Sequence, residues 1–250
     1  IRSNATVIES DQISDSLSAW VSDGFTVLTN NAVNASANTY ASWNLKAGTT
    51  TGIAGSPSIT PSSYSFNQTS GYSIIAYTGN GVSGATIPHG LGAIPDMVMV
   101  KSRTSADAWT VFTSALGPTK YLVLNTAAAE ATASWAWNDT APTSTLVSLG
   151  NAGEVNGNTI DYVAYCFTSI QGYSKFSSYI GNGNVDGTFV YTGFRPAFVM
   201  MKCATRAGTD SWRVFDDKRL GYNVDNNALA ASDTDAERTQ DDIDILSNGF

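Results

Sequence analysis

The hydrophobic pattern of this chain is one of short runs broken by turn residues. Ser73 to Tyr77 is rich in Ile and Tyr and ends at Gly79-Asn80-Gly81. Met97-Val98-Met99-Val100 is apolar without a break, follows Pro95 and stops at Lys101. Trp109 to Phe112, Tyr121 to Asn125, Thr145 to Leu149 and Thr159 to Phe167 are likewise short, aromatic or β-branched, and separated by Gly, Pro or Asn. Such runs predict strands. Asn-Gly tolerates positive φ at both central positions of a tight turn, so Asn80-Gly81 predicts a hairpin. An unbroken run such as 97–100 predicts a strand buried on both faces, and its closing Lys101 a strand emerging into water. Ala127 to Ala131 is helix-compatible but too short to stand alone.

The pattern occurs twice. Gly71–Lys101 and Gly172–Lys202 share Gly-Tyr-Ser, Gly-Asn-Gly, a proline and a final apolar run with lysine, with an offset of 101 residues at both the first and the last position. The apolar run of the second stretch is Phe198-Val199-Met200-Met201, and Trp212-Arg213-Val214-Phe215 answers Trp109-Thr110-Val111-Phe112. A period of this length suits a small all-β domain. The expected fold class is therefore all-β, built from tandem antiparallel β-sandwich or jelly-roll-like repeat units of about 100 residues.

Four segments follow from this reading. Residues 1–45 read as the C-terminal part of a repeat unit. Within them Ser22-Asp23-Gly24-Phe25 echoes Ser247-Asn248-Gly249-Phe250, Asn30 to Asn38 reads as a hairpin loop, and Thr39 to Trp43 echoes the strand pattern of Ile160 to Tyr165. Residues 46–70 read as a linker, with Tyr64 and Phe66 adding one edge strand. Residues 71–170 read as a complete unit. Residues 171–250 read as a second unit lacking its last hairpin, a gap to be filled by more chain, by residues 1–45 or by strand donation from a neighbouring subunit.

Composition narrows the partners. Apolar residues are 42% of the 250 and charged residues only 14%, which leaves a surface of Ser, Thr, Asn and Gly. The net charge is −8, so a nucleic-acid partner and an anionic membrane surface are disfavoured. No apolar run reaches membrane-spanning length. Two cysteines make no disulfide framework, and Cys166 lies in a buried-strand pattern as an inert core thiol. The chain opens on Ile1 and so reads as a fragment, a processed product or the ordered part of something longer.

Little in the chain points to catalysis or to a cofactor. His89 is the single histidine and sits in Pro88-His89-Gly90-Leu91-Gly92, where bonding to local backbone is the favoured role. One His and two scattered Cys give no zinc spacing. Asp233, Asp235, Glu237, Asp241, Asp242 and Asp244 supply oxygen ligands of the kind calcium takes, though a solvated acidic loop is the simpler reading. No carboxylate pair stands out for glycoside hydrolysis. Aromatics are the better lead. Trp135, Trp137, Tyr179 and Tyr191 lie in or beside turn-rich segments, where exposed rings stack on sugars. Trp135 and Trp137, two residues apart, would share one strand face. Trp109 and Trp212 recur at matched positions and are assigned to the core.

Several motifs together resemble an uncharacterised repeat domain of marine bacteriophage proteins. They are Gly-Tyr-Ser…Gly-Asn-Gly, Ile87-Pro88-His89-Gly90-Leu91-Gly92, Pro95-x-Met97-Val98-Met99-Val100-Lys101, Gly193-Phe194-Arg195-Pro196-Ala197-Phe198-Val199 and Trp43-Asn44-Leu45-Lys46-Ala47-Gly48. The resemblance implies a non-enzymatic virion structural protein on the exposed particle surface, a tail fibre or appendage component that is homo-oligomeric, contacts other virion proteins and binds host surface glycans. A capsid decoration protein and a polysaccharide-degrading tailspike are the alternatives. The second stretch departs from the first by placing Val190-Tyr191-Thr192-Gly193-Phe194 where the first has His89 and its neighbours.

Overall fold

A computed structural model describes residues 1–9, 15–206, 208, 210–219, 221–223, 227–239 and 242–250. The chain divides into two compact units. One comprises Ile1 with Glu9–Leu45, the other Arg2–Ile8 with Lys46–Phe250. In the smaller unit β1 (Leu17–Val21) and β2 (Gly24–Val27) form an antiparallel hairpin, with the Trp20 and Phe25 rings 5.8 Å apart. Asn30 to Asn38, expected as a loop, holds a short helix, α1 (Asn31–Asn34), because the Asn30 side chain accepts from Ala32 N at its first turn. Residues 39–45 form no regular strand.

The described residues of the larger unit are all-β apart from one helical turn. Its main sheet holds β3 (Ser63–Asn67), β4 (Tyr72–Thr78), β6 (Met97–Ser102), β7 (Thr110–Thr113), β8 (Lys120–Val123), β9 (Ala131–Thr132) and β11 (Asp161–Phe167). Their spatial order is β3-β4-β11-β6-β7-β8-β9, every pairing antiparallel. A separate ribbon pairs β5 (Ala85–Pro88) with β10 (Leu146–Leu149). Ile75, Tyr77, Val98, Val100, Phe112, Tyr162, Ala164 and Cys166 of the sheet share one core with Ile87, Val147 and Leu149 of the ribbon, a sandwich-like arrangement. The Asn80-Gly81 turn is real, with Gly81 at φ +68°, but it closes no hairpin. It passes the chain from the main sheet at β4 to the ribbon at β5, and buried Asn156 holds it by accepting from Asn80 N and donating to Val82 O.

A three-stranded sheet follows, β12 (Phe198–Met201), β13 (Arg213–Asp216) and β14 (Leu229–Ala230), in that order. Its bonding repeats that of β6-β7-β8. Val98 faces Phe112 as Val199 faces Phe215, and Val111 faces Leu122 as Val214 faces Leu229. Ser114 N donates to Asp96 O at 2.8 Å and Asp217 N to Ala197 O at 3.1 Å. The turns match as well. Val82 N donates to Asn80 Oδ1 and Asn184 N to Asn182 Oδ1, with Gly183 at φ +69°. The likeness stops at Tyr173 to Tyr179. This counterpart of β4 forms no continuous strand, and among the described residues no strand such as β3 or β11 flanks it.

Both faces of the first apolar run are covered, and in the second Phe198 stays 45% exposed. Val98, Val100 and Phe112 point into the sandwich core. Met97, Met99 and Val111 point the other way, into a second cluster with Trp109, Leu122, Leu124 and Trp212 that Met200 also joins. Val199 and Phe215 form a third with Ala228. Residues 46–70, expected as a linker, lie on the larger unit instead. Thr49 bridges Phe66, β3 pairs with β4 as its edge strand, and Ile59 is buried in the sandwich core. Single isoleucines among Ser, Thr and Gly carry no periodicity, which hid this packing from the pattern.

Because β7 is covered on both sides, Phe112→Ala and Val111→Ala should both be costly, by about 3–5 and about 2 kcal/mol. Urea denaturation checks this. A Val111→Ala cost below about 0.5 kcal/mol would mean that the second face is open to water.

Candidate functional site

The expected strand carrying Trp135 and Trp137 is a helical turn, α2 (Ser134–Trp137), closed by Asn138 at φ +52° donating its N–H to Ser134 O. On such a turn residues two apart point to different sides. Trp137 is enclosed at 1% exposure, edge-on to Phe112 at 5.8 Å, and offers no face to a ligand. Trp135 is half-buried on the Tyr121 ring at 4.6 Å. The turn also demands glycine at 150, where a Cβ would lie 1.8 Å from Trp135 O. Tyr179 is 46% exposed, its hydroxyl 3.5 Å from Met201 Sδ and its ring edge-on to Phe250. Tyr191 is 64% exposed, so the two tyrosines, and not the tryptophan pair, keep open ring faces.

The titratable groups singled out by sequence are engaged elsewhere. His89 is buried, and its Nδ1 accepts from Leu91 N, which leaves Nε2–H to donate to Thr143 O at 3.2 Å. Burial pushes its pKa down to about 4, the bond to Thr143 opposing. Burial likewise raises the Cys166 thiol to about 12, an inert core group. The acidic loop is bound to arginines. Arg238 holds Asp233 and Asp235, Arg219 holds Asp216 and Glu237, and Arg213 holds Asp242. Asp241 lies outside the described residues, and among these no cluster of three metal-ligating side chains occurs.

A device that sequence misread lies at the ends of the apolar runs. Lys101, expected in water, is fully buried and donates to Ser102 O and to Thr6 O at 3.3 Å. Lys202, half-buried, donates to Ala127 O at 3.2 Å and to Asp210 O. Burial lowers both lysine pKa values, with Asp107 and Asp210 respectively opposing. Trp109 Nε1 donates to Arg2 O at 2.8 Å, and Trp212 Nε1 to Val123 O at 2.9 Å. Each Trp–Lys pair thus clasps two carbonyls four residues apart, at 2 and 6 in one case and at 123 and 127 in the other. The two clasped segments have the same turn at matching positions, and 230–234 has it a third time. Asn125 Oδ1 accepts from Trp109 N as Ser232 Oγ accepts from Trp212 N, and Asn4 Nδ2 donates to Asp233 O. The signal available in sequence was the recurrence of Trp and Lys themselves. Their carbonyl partners leave no mark on side-chain identity.

The candidate ligand site is a groove of about 310 Å³ lined by Ser169, Gln171, Ser174, Lys175, Tyr191 and Thr192, with Gly172 and Gly193. One wall is a tight turn in which Ile170 N donates to Ser174 O and Gly172 takes φ +76°. The other is fixed by the Tyr191–Gly249 bridge and by Thr192 N and Gly193 N donating to Asn248 O. Both walls are held by main-chain bonds, so the groove is formed before any ligand arrives. Its lining of one open tyrosine ring, hydroxyls, an amide and a single cation suits a polyhydroxylated ligand. Tyr191 was identifiable from sequence. Gln171 and Lys175 were not, because only folding brings 169–175 against 191–193.

A family model described as Domain of unknown function (DUF7483) matches residues 1–250. No curated protein matches the chain, and no solved structure does.

Two outcomes follow from this geometry. His89 binds a proton in the unfolded chain near pH 6.5 but in the folded chain only near 4, so stability falls as pH drops through that window, by up to about 3 kcal/mol. Denaturation midpoints between pH 7 and 4 should show this slope, and His89→Asn should flatten it. Trp109→Phe and Trp212→Phe each remove one N–H from one clasped carbonyl and should each cost about 1–3 kcal/mol in urea melts. A negligible cost for either would show that its clasp contributes nothing.

Proposed function

The chain belongs to the DUF7483 family, and from that premise we propose that it is a non-enzymatic structural protein of a bacteriophage virion appendage. In this reading tandem β units are joined by Trp–Lys clasps, and the Tyr191 groove binds host surface glycans. The observation that carries the structural role is the clasp. Twice a buried Trp and the Lys that ends an apolar run grip the main chain of a segment that is alike in turn geometry, and 123–127 begins on the last residue of β8 while being gripped from beside β12 and β13. Such a joint can be repeated indefinitely, as a fibre or stalk requires. Tandem units of about 100 residues, covering 71–170 and 171–250, are the corresponding architecture. Homo-oligomerisation would add symmetric copies side by side.

The glycan role is supported by the open rings of Tyr191 and Tyr179, with half-buried Trp135 a lesser candidate. Hydrolysis finds less support. His89 is spent on backbone bonds, and the carboxylates of the 233–242 loop described above are spent on arginines.

Two measurements test this. Antibodies raised against the chain should decorate the tail region of phage particles in electron micrographs. Decoration of the shell lattice would transfer the role to capsid cementing, and unlabelled particles would end the virion assignment. On a glycan array the wild-type chain should bind a defined subset, with binding reduced at least about tenfold by Tyr191→Ala. A blank array would remove the receptor role and leave the structural one.

A further inference from the structure

The chemistry of the groove narrows its ligand further, given the glycan reading above. Lys175 is the single charged side chain that lines it, is exposed, and forms no ion pair among the described residues. Arg206, Arg213, Arg219, Arg238, Lys120 and Lys218 are by contrast held by carboxylates and are not available to a ligand in the same way. The remaining lining is neutral. Ser169 Oγ accepts from Phe176 N, and Ser174 Oγ accepts from Ile170 N and donates to Thr168 O. The Ser169 hydroxyl proton and the Gln171 amide have no acceptor or partner among the described residues and are free to face a ligand. Thr192 Oγ is turned back onto Phe194 O and is not.

We propose that this groove binds an acidic sugar unit, with its ring face on Tyr191 and its carboxylate on Lys175. Ring stacking supplies a flat apolar contact that tolerates many hexoses. The lysine adds what a neutral sugar cannot use, a charge-assisted bond to a carboxylate about twice as strong as a neutral hydrogen bond. The ammonium is a mobile point charge on a flexible stem and so fits a carboxylate presented at variable height along a polymer. Asp96 is the carboxylate beside the groove, and it is taken up by Ser169 N at 2.8 Å and Ser114 Oγ at 3.0 Å, while carboxylates farther off are screened at physiological salt over about 8 Å. A uronic-acid polymer, with one carboxylate on each ring, presents the required pair of features at every unit.

The test is titration of the full chain with tetragalacturonate and with cellotetraose, at low and at physiological salt. The acidic tetramer should bind at least about tenfold tighter, with a preference that shrinks as salt rises. Lys175→Ala should bring the acidic tetramer down to the level of the neutral one and leave cellotetraose unchanged. Tyr191→Ala should weaken both. Both side chains are exposed, so neither change threatens folding. Equal binding of the two tetramers, indifferent to Lys175 but sensitive to Tyr191, would overturn the acidic preference and leave the glycan reading intact. Binding of tetragalacturonate that needs Lys175 but not Tyr191 would overturn the proposed site in favour of diffuse charge attraction. No binding of either tetramer would overturn it as well, and with an empty array would remove the glycan reading too.

Discussion

A strand with apolar side chains on both faces cannot lie at a surface, and this constraint organises the larger unit. Met97 to Val100 and Phe198 to Met201 each need a cover on two sides. For the first, the β5–β10 ribbon and Trp137 provide one cover, and the cluster around Trp109 and Trp212 provides the other. A single sandwich would satisfy only the first requirement. The second draws the two three-stranded sets together, since Val111 and Met200 meet in one cluster while Val98 and Val199 stay in separate ones. Burial of this kind is non-directional. The clasps supply the direction that it lacks, because an indole N–H and an ammonium must meet particular carbonyls.

Much of this was legible in the sequence. The short aromatic and β-branched runs foretold an all-β chain of antiparallel strands, and the unbroken run of Met97 to Val100 foretold a strand covered on both faces. Tyr64 and Phe66 foretold the edge strand β3, Cys166 is the buried strand thiol that its surroundings foretold, and His89 bonds backbone at Leu91 N and Thr143 O.

What failed did so for identifiable reasons. Asn80-Gly81 gave the correct local turn, but a turn motif does not say whether the two strands it joins will pair with each other. Trp135-Ala136-Trp137 fits strand alternation, yet the left-handed Asn138 behind it and the tight passage of Gly150 select a helical turn. Lys101 reads as a solvent-facing terminus because its two acceptors are carbonyls, which no residue type announces. The groove was half legible. An open tyrosine can be guessed from its surroundings, but the meeting of residues 169–175 with 191–193 is a long-range outcome of the fold.

The clasp has a consequence for how such a chain can vary. Because Trp and Lys hold only peptide oxygens, the gripped stretch is free to change its side chains while the joint persists. Ile1-Arg2-Ser3-Asn4-Ala5-Thr6, Leu122-Val123-Leu124-Asn125-Thr126-Ala127 and Leu229-Ala230-Ala231-Ser232-Asp233-Thr234 have little in common beyond a small polar group at the fourth place, yet share one turn geometry. A substitution in either gripped stretch that keeps its turn therefore leaves both carbonyls where the indole and the ammonium meet them.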